Sequence, residues 1–259
     1  MHHSHIDKFA QGRSVVHDLD ARTKLLAVLA YTGVLISFNR YAVWELAPMA
    51  ILPVGMLLLG RVPLAFALRR VAILCPFIAM LCLASPLYDR TPAVLALGAW
   101  RLETTAGWLT ATDIFLKFML GVLALTAMMC TTPFALLLEA MRRMKMPRVM
   151  ILQLGFLYRY LFVLLDEAMR IKRGRDFRGG RLAPAVRRLA AVGGMVGSLF
   201  VRTLERSDRI HMAMCARGYQ GEPHSLSHLH FHLADFVFML GVAGYLLACR
   251  WAYPLFLKG

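Results

Sequence analysis

Arg217 stands between two small residues, Ala216 and Gly218, at the end of a basic amphipathic stretch. A guanidinium is planar and permanently charged, and its fork of donors matches a carboxylate or a backbone carbonyl. Small neighbours leave that fork unobstructed, so the chemistry this tripeptide suits is docking rather than bond making. A second arginine triplet, Gly174-Arg175-Asp176, begins 42 positions earlier, with Arg173 and Arg178 close by. Histidine is the other residue type able to do chemistry. His228, His230 and His232, with His224 before them and His2, His3 and His5 near the N-terminus, offer imidazoles that suit cobalt or nickel. Their alternation fits extended chain, and exposed histidine clusters bind divalent metals weakly in any context, so the expectation is a polar connector. The sequence offers no catalytic residue, no metal site and no cofactor site beyond these.

Composition decides which elements position the arginines. Of 259 residues, 59% are hydrophobic and 17% charged, and the mean hydropathy is +0.58, which leaves too little polar surface for a soluble globule. The class is an all-α integral membrane protein. A net charge of +15 suggests nucleic acid in a soluble chain, but here the cations border apolar blocks, as the positive-inside bias requires, so no nucleic-acid partner is expected.

A bilayer core of about 30 Å takes about 20 helical residues. Stretches of that kind run over Lys24 to Phe38, Tyr41 to Gly60, Leu64 to Leu87, Thr112 to Cys130 and Leu233 to Trp251. The segment from Asp89 to Thr110 is expected to be a connector. Residues 132–222 hold 17 Lys and Arg against 7 Asp and Glu, most of the chain's positive excess, which puts them on the cytoplasmic face. A crossing at Val149 to Leu165 would carry the arginines from Arg170 to Arg188 outside, whereas a helix at the interface lets them snorkel. Five spans are therefore expected, with six as the alternative. The organisation is a four-span membrane domain at 1–131, a cytoplasmic helical domain at 132–222, and a connector with the last transmembrane helix at 223–259.

Within the cytoplasmic region, Thr132-Pro133 starts a helix that Pro147 ends, and a second helix covers Val149 to Lys172. Gly179-Gly180 breaks the chain before a third helix from Pro184 to Cys215, in which Gly193 and Gly197 make a G-x-x-x-G pair open to close helix approach. Towards its end Val201, Leu204, His211 and Cys215 share one arc, expected to pack, while Arg202, Glu205, Arg206 and Arg209 share another, expected to meet water or a partner. Asp113 and Lys117, at i and i+4, are expected to form a structural ion pair, and Asp20, Arg22 and Lys24 a cytoplasmic anchor. The cysteines Cys75, Cys82, Cys130, Cys215 and Cys249 lack C-x-x-C spacing and read as buried small apolar residues.

Several pieces in order carry a family resemblance: Ile6-Asp7-Lys8-Phe9-Ala10, Leu19-Asp20-Ala21-Arg22-Thr23-Lys24-Leu25, the Thr132 to Pro147 helix, the run from Arg159 to Ala168, and Ala216-Arg217-Gly218. The chain resembles the transmembrane T component of an energy-coupling-factor transporter, of the cobalt or nickel branch, the CbiQ-like proteins. That resemblance implies a non-catalytic subunit that docks on two ABC-type ATPase subunits through one arginine triplet each, Gly174-Arg175-Asp176 and Ala216-Arg217-Gly218. It also implies a separate substrate-binding membrane subunit of the CbiM/NikM type, a small accessory membrane subunit, the bacterial plasma membrane as location, and a supply role in cobalamin biosynthesis. The first triplet departs from the family's Ala-Arg-Ser-like form, and its Asp176 is able to pair with the arginine and compete with the partner.

What the sequence lacks agrees with a coupling role. No G-x-x-x-x-G-K-[ST] loop is present to cradle nucleotide phosphates, so energy has to come from partners. A conventional ABC permease would carry an E-A-A-x-x-x-G loop, and Glu167-Ala168-Met169 with Gly174 departs from it in the third residue and the glycine register. A polytopic enzyme with a basic surface would need a carboxylate pair, metal cluster or nucleophile with its base, and no spacing supplies one.

Overall fold

The computed structural model describes residue 12 and residues 14–38, 46–88, 91–97, 100–180, 184–219 and 232–256. In chain order the elements are α1 (Val15–Asp18), α2 (Ala21–Ser37), a 3-10 turn at Pro48–Ala50, α3 (Ile51–Leu59), α4 (Leu64–Tyr88), β1 (Pro92–Leu97), β2 (Trp100–Thr105), α5 (Ala106–Thr131), α6 (Phe134–Arg143), α7 (Arg148–Arg175), a π-helical turn at Asp176–Gly180, α8 (Ala185–Ala216) and α9 (Leu233–Phe256). They group into two compact units, residues 1–140 with 229–259, and residues 141–228.

Among the described residues, four helical stretches are long and apolar enough to cross a membrane: Leu64–Pro86, Ala106–Thr131, Arg148–Arg178 and Leu233–Trp251. Three match expected spans. The 17 residues of α2 reach about 25 Å at 1.5 Å per residue, just short of the core thickness. The block expected over Tyr41 to Gly60 is helical over Pro48–Leu59, and residues 39–45 lie outside the described residues. The stretch from Arg148, expected at the interface, passes on length and composition because Val149 to Leu165 is apolar apart from Gln153 and Arg159.

The connector between α4 and α5 is more ordered than the sequence reading expected. β1 and β2 pair antiparallel from Pro92 with Thr105 to Leu97 with Trp100, and the Ala106 N–H donates to the Thr91 carbonyl at 2.8 Å where α5 begins. Val94, Trp100, Thr104 and Thr105 favour strand, and Gly98-Ala99 between the runs is a two-residue hairpin signal. The fold stays a helical membrane fold with this one hairpin.

The first unit packs α4 and α3 along α5, and α2 between α5 and α9. Met56, Leu57, Val62, Val71, Leu123 and Ala127 form part of its buried core. Gly60 permits the closest approach there: a Cβ would lie 2.8 Å from the Met56 carbonyl oxygen and 2.9 Å from Cγ2 of Thr131. The Asp113–Lys117 ion pair forms as expected, Nζ to Oδ2 at 2.9 Å, and Nζ also donates to the Phe38 carbonyl at 2.8 Å, which ties α5 to the end of α2. Tyr31 donates to the Met49 carbonyl at 3.0 Å and Tyr245 to that of Pro48, so the turn before α3 is held from both α2 and α9.

Asp20 and Lys24, expected as part of a cytoplasmic anchor, are both buried, in a polar knot with Asp235. Asp20 caps α2 by accepting the Arg22 N–H at 2.9 Å, and Lys24 donates to the carbonyls of Thr131 at 3.1 Å and His17 at 3.3 Å. Asp235 accepts from the Asp20 N–H at 2.7 Å, the His232 N–H at 2.8 Å and Thr23 Oγ1 at 3.4 Å. The starts of α2 and α9 and the end of α5 thereby share one buried network, as burial of these charges demands.

Candidate coupling surface

The surface is built at two helix ends in the second unit. α8 closes on Ala216 through a Schellman motif, in which the Gly218 N–H donates to Cys215 O at 3.0 Å and the Tyr219 N–H to Met214 O at 3.1 Å. That closure needs a left-handed residue just past the cap, and Gly218 supplies it at φ 79°. Arg217 is the cap residue itself, at φ −94° and ψ 12°; it is exposed, and it has no ion-pair partner among the described residues. The Ala-Arg-Gly order therefore has a mechanical reason: the glycine stops the helix and leaves the arginine presented at its end.

Gly218→Ala is expected to cost about 1 kcal/mol through the backbone alone, since a Cβ there meets no atom within 4 Å. Faster hydrogen exchange in the last turn of α8, with the rest of the unit unchanged, is the measurement that checks it.

The end of α7 differs. Lys172, Arg173 and Arg175 occupy its last turn, where cations suit the helix dipole. The chain then continues into the π-helical turn, and the Asp176 N–H bonds back to the carbonyls of Lys172 and Arg173. Arg175 Nη2 donates to Asp176 Oδ1 at 3.2 Å, the competing pair that the sequence raised, and its Nε is buried without a hydrogen bond. Arg173 is exposed, with Nε donating at 3.4 Å to the Met169 carbonyl. It precedes Gly174, which is exposed, so the residue order matches Arg217-Gly218, although Gly174 lies within α7 and, unlike Gly218, ends no helix. Phe177, in the turn, is 90% exposed, an aromatic the sequence reading passed over; its signal is an apolar residue alone in a Gly/Arg-rich turn.

Glu167 braces α7 to α8, with Oε1 2.6 Å from Arg202 Nη1 and Oε2 3.8 Å from Arg170 Nη1. On one side of that brace a cleft of about 380 Å³ runs between Phe156, Tyr160 and Leu164 of α7 and Arg206, Ile210 and Met214 of α8. This corrects one expectation in part, although His211 of the arc expected to pack does line the cleft and Glu205 and Arg209 are exposed as expected. The α8 face turned to α7 is that of Thr203, Arg206, Ile210 and Met214, while Val201 and Leu204 are exposed. Glu167 draws Arg202 towards α7, and the Arg206 stem is apolar enough to line the cleft. A Cβ at Gly193 or Gly197 would meet nothing within 4 Å, so no helix of the described residues uses the G-x-x-x-G pair.

Among the described residues no three His, Cys, Asp or Glu side chains gather as a metal group; His2, His3, His5, His224, His228 and His230 lie outside those residues. His232 acts through its backbone in the knot around Asp235. Cys82, Cys130 and Cys249 are buried as free thiols, as expected, whereas Cys75 is half-buried and Cys215, in the last turn of α8, is exposed.

Several apolar helices of span length and a separate basic helical unit define a multi-pass membrane component of the bacterial plasma membrane. The family model described as "CbiQ: Cobalt transport protein" matches residues 12–228, and the chain belongs to that family. It is similar to the energy-coupling factor transporter transmembrane protein EcfT of Bacillus subtilis, 27% identical over 83% of this chain and 84% of that one. The EcfT of Streptococcus equi is 30% identical over 83% of each chain, and the cobalt transport protein CbiQ of Salmonella typhimurium 27% identical over 77% of this chain and 81% of that one. The chain is thus of the class of transmembrane components of energy-coupling factor transporters.

Proposed function

We propose that this chain is the non-catalytic coupling subunit of an ATP-driven importer of cobalt or nickel. It docks on two ABC-type ATPase subunits and passes their movement to a separate substrate-binding membrane subunit, which selects the ion. The observation that carries this is Arg217, exposed and without an ion-pair partner among the described residues, at a helix end that Gly218 terminates. The coupling role falls to residues 132–222, between the four-span region 1–131 and the connector and last helix at 223–259. At the α7 end the exposure of Arg173 and the engagement of Arg175 with Asp176 favour Arg173 as the leading docking group, with Arg175 beside it.

The test is co-expression with candidate ATPase and substrate-binding subunits, followed by co-purification, ATP hydrolysis and uptake of labelled cobalt or nickel into liposomes. The expected result is a stable complex that hydrolyses ATP and accumulates the ion, while the chain alone does neither. ATP hydrolysis by the purified chain above a mock preparation, or ion accumulation by liposomes holding it alone, would overturn the proposal.

A further inference from the structure

The loop between α6 and α7 is a cationic cleft with no part in the docking surface described above. It encloses about 560 Å³ and is lined by Arg142, Arg143, Lys145, Met146, Arg148 and Ile151, with no acidic residue among its lining. α6 ends in a Schellman motif, Lys145 N–H to Arg142 O and Met146 N–H to Met141 O, each at 3.2 Å. The left-handed position falls on Lys145, at φ 64°. Glycine takes that conformation without strain and lysine does not, so a cation stands where the backbone alone would favour glycine. Strain held at a charged cleft points to a ligand of opposite charge.

The surroundings of the cleft identify the ligand. Met144, Val149 and Met150 beside it are exposed, and the helix that starts there is of span length and apolar, with 6% of its most apolar window buried within the protein. Cations grouped at the start of such a helix match the anionic face of a bilayer, where each Lys or Arg contributes about 1 kcal/mol. An acidic protein surface would suit the charges and leave the apolar residues uncovered.

From these observations we infer that the α6–α7 cleft binds the phosphate of an anionic lipid headgroup, with Lys145 and Arg148 as principal contacts and Arg142 and Arg143 adding to the field. The phosphodiester is held by charge, and the acyl chains lie along the apolar start of α7. Free phosphate shares the headgroup's charge without the chains.

The test uses the full chain, delipidated in a neutral detergent, titrated with phosphatidylglycerol, phosphatidylcholine or inorganic phosphate, with bound ligand counted by native mass spectrometry. Phosphatidylglycerol is expected to bind, phosphatidylcholine not, and inorganic phosphate only far more weakly. Lys145→Gly and Arg148→Gln should each weaken phosphatidylglycerol binding about fivefold, and Lys145→Gly should leave thermal stability equal or raised because it relieves the backbone. Arg187→Gln with Arg209→Gln, which removes two charges elsewhere against one in each cleft variant, should leave that binding unchanged. Inorganic phosphate binding as tightly as the lipid would overturn the lipid assignment. Unchanged lipid binding in the cleft variants, an equal loss in the control, or loss of ATPase co-purification with lipid binding intact would overturn the site.

Discussion

Asp235→Ala is expected to destabilise the first unit by about 3–5 kcal/mol, the range for removing one partner from a buried charged network. Its carboxylate, 1% exposed, accepts from two backbone N–H groups and one hydroxyl; truncation would leave the Asp20 and His232 N–H groups without that acceptor, while Thr23 Oγ1 keeps the Asp20 carbonyl at 2.7 Å. Lys24, also 1% exposed, would then share its site with Asp20 as the remaining carboxylate of the knot. Asp235→Asn keeps one acceptor oxygen but turns an amide donor towards one of the N–H groups, so it should fall between wild type and alanine. Lys24→Met removes the charge at similar volume, and its cost should be smaller, about 1–3 kcal/mol for the carbonyls of His17 and Thr131. Because both residues belong to one network, the double variant Lys24→Met, Asp235→Asn should cost less than the two single changes added together. Unfolding of the four proteins by detergent titration measures this cycle. An Asp235→Ala protein as stable as wild type would remove the knot from any account of what holds α2, α5 and α9 together.

That network marks where sequence reasoning stopped. Asp20, Arg22 and Lys24 stand out as charges before an apolar run, yet nothing in the chain links them with a residue 215 positions away. Burial and partner depend on which helix ends meet, and no local pattern encodes that. Asp113 with Lys117 was legible because i, i+4 spacing on one helix puts the two together whatever surrounds them. Span-length runs such as Leu64–Pro86 were legible for a similar reason: lipid demands a continuous apolar stretch. The hairpin at Pro92–Thr105 escaped because charges at Arg101 and Glu103 suggested a plain connector, although the Gly98-Ala99 spacing was there to be used.

Periodicity has the same limit on α8. Counting 100° per residue separates the arc of Val201 and Leu204 from that of Arg202 and Arg206, but it does not say which arc meets α7. Glu167 holds Arg202 at 2.6 Å on the α7 side, Ile210, His211 and Met214 line the cleft, and Val201 and Leu204 are left outward. At the α7 end the sequence centred the triplet on Arg175, with Arg173 and Arg178 as close rivals. The π-helical turn separates them, because it carries Asp176 back onto Arg175 and leaves Arg173 exposed.

Arg217→Ala and Arg173→Ala should each reduce metal uptake strongly, and together they should abolish both uptake and assembly with the ATPases. Each arginine, if it forms a charge-assisted contact in a groove of one ATPase, is one side of a pair whose truncation costs about 2–5 kcal/mol, or about thirtyfold or more in docking. With one contact intact the complex should still be detectable, since the remaining arginine and the outward apolar face of α8 hold it. Arg175→Ala should cost less, because its guanidinium is committed to Asp176 before any partner arrives. Asp176→Ala frees Arg175, and it should partly restore uptake to the Arg173→Ala protein. That rescue separates a docking role from a structural one, since a second destabilising change would only deepen a folding defect. The measurement is ATPase co-purification, ATP hydrolysis and uptake on the same preparations. A double variant, Arg173→Ala with Arg217→Ala, that assembles and transports like wild type would show that these helix ends are not the coupling surface. Equal damage from Arg175→Ala and Arg173→Ala would move the α7 contact back onto both residues.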